Sequence, residues 1–305
     1  MAAPASRDTE PVVLVVGDVI DDVIVRPLTP VTHGSDTRAR ITPSPGGSGA
    51  NQAVWLADAG AAARFVGRVG AADLERHTRV LTAAGVDARL AGDDERPTGT
   101  IVIVVDPVDG ERTMYTDRGA NLGLCRTDLP ATLLDGVGLL HLSGYGLFDA
   151  EVRRAVRGLM AQARERGIPV AVDPASVAFL ADVGVERFLD WVADATLLLP
   201  NLDEGRLLTG RDAPEAIVHG LLAHVPEVAL TLGRDGALVA SRDHPWIRVA
   251  AVDVEVVDTT GAGDAFAGTF LAGWVRGRRD RALVEAAVAA AARAVGTPGA
   301  RPAVA

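Results

Sequence analysis

The sequence contains no lysine. All 30 of its basic residues are arginine, and this excludes two common ways of holding a nucleotide. A P-loop needs the lysine that ends its glycine-rich run, and protein kinases need a lysine on an early strand. Cysteine is almost as scarce. Cys125 stands alone, so no intrachain disulfide can form and a reducing compartment is expected. Six histidines occur without an H-E-x-x-H run or a Cys/His ligand spacing, which argues against a dedicated zinc site. Aromatic residues make up only 4% of the chain, little material for stacking on bases. The apolar run 282–295 is mostly alanine, carries Glu285 and Arg293, and is too short to cross a bilayer. Residues 1–10 are polar and lack the apolar centre of a signal peptide, so a cytoplasmic location is expected. A net charge of −10 provides no basic footprint for nucleic acid or an anionic membrane.

What is present suits a large α/β core. The chain has 305 residues, 48% of them hydrophobic. The β-branched run 11–16 reads as a buried strand ending at Gly17-Asp18, with Asp21 and Asp22 close behind. Carboxylates at a strand end can hold sugar hydroxyls or form a solvated turn; Asp22 is the candidate kept. Segments 23–41 and 98–116 show strand-like patterning outside any βαβ alternation. The second turns at Asp109-Gly110 as a hairpin would. Together they could form a lid. Between them, Pro45-Gly46-Gly47-Ser48-Gly49-Ala50-Asn51 opens a helix-like run to Gly60. Its small residues allow close approach of a polyol, and Asn51 offers both a donor and an acceptor. From Leu139 onward, strands alternate with helices, which implies right-handed crossovers and a mostly parallel sheet. Polar residues fall at the strand ends (Asp173, Asn201, Gly233, Asp258), where open α/β sheets bind ligands.

One run stands out: Asp258-Thr259-Thr260-Gly261-Ala262-Gly263-Asp264. It follows an apolar stretch, 250–257, that reads as a strand, and it opens a helix expected over 264–275. A turn there exposes amides that lack intrahelical partners, and its small residues admit an anion. Asp264 at the helix start is expected to be ionised and able to accept a proton from a hydroxyl. A tight turn with a capping Asp is the plainer alternative. Phe266 stands where a dinucleotide fingerprint needs glycine, which excludes that motif. Asn201 and Glu204, one helical turn apart, read either as a helix cap or as holders of Mg²⁺-bound water. Thr231-Leu232-Gly233-Arg234-Asp235-Gly236 reads as a nucleotide-side loop or a plain turn.

These runs resemble the two signatures of the ribokinase-like (PfkB) family of small-molecule kinases: Gly46-Gly47-Ser48-Gly49-Ala50-Asn51 and Asp258 to Asp264. The resemblance covers the chain from Gly17-Asp18 to about Ala303. It implies a three-layer α/β/α domain over residues 11–303 with a mostly parallel central sheet. It also implies a small β-lid from segments 23–43 and 98–117 and a homodimer joined through that lid. It gives Asp264 the role of catalytic base and the amides of Gly261, Ala262 and Gly263 that of an anion hole. Asp22, Gly46, Gly47, Asn51 and Ser143 would line the sugar pocket. Asn201, Thr231, Gly233 and Gly236 would flank ATP, and Asn201 with Glu204 would organise Mg²⁺ through water. Asp258, Thr260, Ala294, Thr297 and Gly299 correspond to a loop that holds a monovalent cation such as K⁺. Departures include Ile20 for Asn, Ser48 for Lys, Ser143 for an acid and Ala303 for a polar residue. With no lysine as a second-phosphate clamp, and only Arg112 or Arg118 to serve instead, an unphosphorylated sugar or sugar acid is expected as acceptor. The alternatives are a nucleoside kinase, a 2-keto-3-deoxygluconate kinase, or a sugar-binding protein without catalysis.

Overall fold

The computed structural model describes residues 10–31, 34–107 and 112–302. In the first strand, β1 (Val12–Val16), Leu14 and Val16 belong to one apolar cluster, while Val13 and Val15 belong to another on the opposite face. A strand with both faces buried must lie inside a sheet covered on both sides. After it, β2 (Ile20–Pro27) and β3 (Ala39–Gly46) run antiparallel outside the core, and α1 (Ser48–Asp58) returns to it. β4 (Ala63–Gly70), α2 (Leu74–Ala83) and β5 (Asp87–Asp93) form a parallel unit at one sheet edge. β6 (Gly99–Val105) then pairs with β2, and β7 (Arg112–Asp117) pairs with β6.

The alternation continues with β8 (Val137–Ser143), α3 (Ala150–Glu165), β9 (Val170–Asp173), α4 (Val177–Val183), α5 (Val185–Trp191) and β10 (Leu197–Leu198). It proceeds through α6 (Leu202–Thr209), α7 (Pro214–Leu221) and β11 (Glu227–Thr231). The antiparallel strands β12 (Ala237–Ser241) and β13 (Ile247–Val249) follow, then α8 (Ala262–Trp274) and α9 (Arg281–Val295).

Among the described residues the larger sheet has nine strands in the order β13-β12-β11-β10-β9-β8-β1-β4-β5, all running one way except β12, which is antiparallel to both of its neighbours. One face packs on α3, α5 and α7 through Leu159, Phe188 and Ile217; the other packs on α1, α8 and α9 through Val54, Phe270 and Val288. The expected three-layer α/β/α fold is therefore present. No helix among the described residues is long and apolar enough to cross a membrane.

The second sheet has the order β3-β2-β6-β7. Its register places Ile41, Val25, Val104 and Thr113 in one cross-strand row, and Pro43, Val23, Val102 and Tyr115 in another on the same face. Asp22, Ile103, Met114 and Arg112 fall on the opposite face by the period-two rule. Asp109-Gly110, the expected hairpin turn, and Ala303 lie outside the described residues.

The reading of 250–257 as a strand is corrected. β13 ends at Val249, and the stretch beyond it has no partner strand among the described residues; Val252, Val256 and Val257 stand exposed. Its alternating valines carry the periodicity of a strand, but a strand also needs an edge to pair with. The first backbone contacts after the gap are the amides of Val257 and Asp258, both donating to the Val295 carbonyl.

Candidate functional site

Asp264 lies in the first turn of α8, whose N-cap, Gly261, has a left-handed backbone (φ 78°). A Cβ at Gly261 would lie 2.6 Å from the Ala300 backbone, so both the turn and the close approach require glycine. The amides of Gly263 and Asp264 have no protein acceptor among the described residues. That of Ala262 makes only a long 3.5 Å contact to the Thr259 carbonyl. The Asp264 carboxylate accepts from Ser48 Oγ at 2.7 Å and from Asn51 Nδ2 at 3.0 Å. The signature turn near the C-terminus and the glycine-rich start of α1 thus meet at one carboxylate, across more than 200 residues of chain. Although Asp264 keeps some exposure at the cleft floor, burial pushes its carboxyl up to about 7; the two hydrogen bonds pull it down, and Asp173 and Asp18 add repulsion. Crowding outweighs the helix-start effect that the sequence suggests.

The three early aspartates go three ways. Asp18 Oδ1 accepts from the Gly49 amide at 3.2 Å at the start of α1, and Ser143 Oγ approaches the same oxygen only at 3.5 Å. Asp21 turns outward to Arg76 at 2.6 Å. Asp22, on the other face of β2, is buried against Gly46, where any Cβ would fall on its carboxylate. Burial pushes Asp22 up to about 7, and the nearby Arg301 opposes this. Gly47, with φ 89°, is the N-cap of α1. The structure therefore brings Asp22, Gly46, Gly47 and Asn51 together beside Asp264, with Ser143 one step away behind Asp18.

Asp264 and Ser48 also line a cleft of about 220 Å³ that extends to Asp173, Asn201, Glu204, Thr231, Gly261 and Gly263. Asn201 and Glu204 form a reciprocal capping box on α6, each backbone amide donating to the other's side chain at 2.9 Å. The cap is real, and Glu204 is also 2% exposed at the cleft wall. Burial raises both Glu204 and Asp173 above the ordinary carboxylate range, and their mutual repulsion adds to the Glu204 shift. Beside Asp173, Ala175 holds a left-handed backbone (φ 77°), rare for a residue with a Cβ and found where function constrains the chain. Gly233 and Gly236 are not among the residues lining this cleft. Gly236 is required by close packing on the Val249–Ala251 backbone.

Residues 11–305 match the pfkB family of carbohydrate kinases. The chain belongs to that family. The Bifunctional protein HldE of Pseudomonas paraeruginosa is 34% identical over 316 residues, covering 94% of this chain and 60% of that protein. The HldE of Azotobacter vinelandii is 32% identical over 312 residues with the same coverage. The chain thus spans about 60% of the length of the curated relatives it matches. Among solved structures, an adenosine kinase from Sinorhizobium meliloti superposes with a TM-score of 0.85 at 25% identity, covering 96% of each chain. An Arabidopsis thaliana ribokinase complexed with ribose and ATP gives 0.79 at 26% identity, covering 96% of this chain and 94% of that one.

Three residues of this pfkB kinase escaped the sequence reading. Arg301 donates from Nε to Asn51 Oδ1 at 2.8 Å and from Nη2 to the Gly46 carbonyl at 2.9 Å, so it ties residue 301 to the glycine-rich start of α1. Gln52 Nε2 donates to Asp173 Oδ2 at 2.6 Å and to Ser48 Oγ at 3.1 Å, and its Oε1 accepts from His141 Nε2 at 2.8 Å. Burial takes His141 down to about 4, which keeps it neutral. The available clue was the Asn51-Gln52 pair inside an otherwise apolar helical run. Arg112, considered as a phosphate clamp, instead meets the head of the motif, donating from Nη1 to Asp258 Oδ1 at 2.9 Å and to Thr260 Oγ1, and from Nη2 to Thr259 Oγ1. The remaining residues assigned to a cation loop lie close by: the Gly299 amide faces Asp258 Oδ2 at 3.5 Å, and Thr297 Oγ1 donates to the Ala294 carbonyl at 3.4 Å.

Proposed function

We propose that this carbohydrate kinase transfers the γ-phosphoryl group of ATP to a hydroxymethyl group of a small sugar or sugar acid. One observation carries the reading. Asp264 is gripped by Ser48 and Asn51 from the acceptor-side helix, while unpartnered amides of its own helix open into the cleft that leads to Asn201 and Glu204. A base between two compartments suits transfer from a donor in one to a hydroxyl in the other.

Asp264 takes the proton as the acceptor oxygen bonds to the γ-phosphorus; the bond from that phosphorus to the bridging oxygen breaks, and ADP leaves with the electron pair. Charge on the transferred group falls on the amides of the 261–264 turn. The cleft fits a hard cation through its oxygen donors. Asn201 and Glu204, with Asp173 opposite, would hold Mg²⁺ through water, because no three acids or histidines among the described residues converge on one point. When bound, that ion neutralises phosphate charge. The exposed valines of 250–257, between the Gly236 turn and the motif, offer an apolar face to a nucleobase. On the acceptor side, Asp22, Asn51 and Arg301 would bind hydroxyls. Arg118, stacked over Tyr145 at 5.0 Å with no carboxylate partner among the described residues, favours a sugar acid. A nucleoside acceptor is the second reading, favoured by the likeness to an adenosine kinase.

An ADP-release screen over pentoses, hexoses, sugar acids, nucleosides and sugar phosphates tests the proposal. Asp264→Asn should lower turnover on the best acceptor by on the order of 10²–10⁴-fold. Near-normal turnover in that variant would remove Asp264 as the base.

A further inference from the structure

We infer that the Arg112 guanidinium is the resident cation at the head of the signature motif, standing in the cradle that the family resemblance assigns to a monovalent ion. By the same contacts it makes docking of the small sheet a condition for the geometry of the anion-binding turn. The first part rests on contacts alone; the second rests on the proposed kinase reaction.

Strand β7 alternates, so Arg112 shares one face of the small sheet with Met114 and Thr116, the face that also holds Asp22, whose cross-strand row runs through Ile101 to Thr116. From there its planar fork engages three consecutive residues, Asp258, Thr259 and Thr260. Such a fork matches oxygen pairs in a way that a point charge does not.

Two of the oxygen sources that an inorganic ion would need, the Asp258 carboxylate and the Ala294 carbonyl, are already engaged. Asp258 Oδ1 accepts from Arg112 and from the Thr260 amide, the latter at 2.9 Å, and Oδ2 faces the Gly299 amide. The Ala294 carbonyl accepts from the Thr297 amide at 3.3 Å and from its hydroxyl. The Asp258 side chain is 8% exposed and that of Arg112 27%, so bulk salt screens the pair weakly. Burial alone would raise the Asp258 carboxyl, yet hydrogen bonds from Thr260 and the charge of Arg112 hold it below the usual range. The residues present do not fit a free monovalent ion while Arg112 is docked.

The consequence reaches the reaction through one peptide bond. Thr260 precedes Gly261, the left-handed residue that bends the chain into α8. Arg112 is thus a positioning residue: it acts on the anion-binding amides through Asp258 and Thr260. A lid strand that carries the cation can lock the turn only when the lid is down.

The test compares wild type, Arg112→Ala and Arg112→Lys in potassium chloride and in tetramethylammonium chloride at matched ionic strength. Two readouts are taken: thermal midpoint without substrate, and kcat and KM with the best acceptor. The wild type should show the same midpoint and the same turnover in both salts. Arg112→Ala should lose turnover by on the order of 10²-fold, in kcat more than in KM, and should regain part of it with potassium or low-millimolar guanidinium. Its midpoint should rise in potassium but not in tetramethylammonium, and Arg112→Lys should fall between. A wild type whose midpoint or turnover rises several-fold more in potassium would overturn the inference, as would an Arg112→Ala that keeps full kcat. A wild type inactive on every acceptor would remove the kinase reading but leave the midpoint comparison decisive for the cation cradle.

Discussion

Asp264 illustrates how a single side chain is tuned by competing terms. Burial raises it and the Ser48 and Asn51 hydrogen bonds lower it, leaving it at about 7. The ionised form is the working base, so kcat/KM of the free enzyme should climb with pH through that value and then level off. In Ser48→Ala the carboxylate loses one donor, so the acidic limb should move to higher pH; a pH–rate profile checks this, and an unmoved limb would show that Ser48 tunes nothing. The two glycines of the turn should separate in a similar way. Gly261→Ala meets the Ala300 backbone from a left-handed position and should destabilise the protein by roughly 1–3 kcal/mol. Gly263 has open space around it, so Gly263→Ala should fold normally. Its methyl group would project into the cleft and lower activity instead. Thermal melts set beside turnover distinguish the two.

At the level of elements, the small sheet has a working face and a spare one. Asp22 and Arg112 project from one side, whereas Val23, Val25, Ile41, Val102, Val104 and Tyr115 share the other. Ile41 and Tyr115 are each 63% exposed. Large side chains left open in register on one sheet face suit a second copy of the same surface. If the protein dimerises there, Ile41→Asp should shift the sedimentation mass from dimer to monomer while leaving the thermal midpoint of the nine-stranded core nearly unchanged. A wild type that sediments as a monomer would rule out that use of the face.

Across the whole molecule, acids with raised values set the dependence of stability on pH. Asp22 and Asp264 shift from 3.8 to about 7 on folding, and Glu204 also shifts upward. Above pH 6.5 the unfolded chain has already lost these protons, whereas the folded chain still binds them. Stability therefore falls as pH rises through 7, and flattens once the folded groups ionise. His141 and His77, both lowered by burial, act in the opposite direction only below their ordinary value of 6.5. Between pH 6.5 and about 8.5 the ligand-free midpoint should drop by on the order of a few degrees, and Asp22→Asn should flatten the slope. A melting series in that window checks the sign.

Much of this architecture is legible in the chain itself. Apolar runs closed by polar residues announce strands whose ends form a ligand edge, and small residues ahead of two helices announce backbone that a ligand can approach. These are local properties, set by side-chain periodicity and by which residues tolerate a given φ. The stretch 250–257 shows where local reading stops, because the same alternation lies unpaired once no neighbouring edge is in reach. The contacts that tune the site were decided only in three dimensions. Arg301 meets Asn51 across 250 positions, and Arg112 meets Asp258 across 146. Their roles, and the raised values of Asp22 and Asp264, depend on how densely distant segments crowd one point, and no short window of sequence contains that quantity.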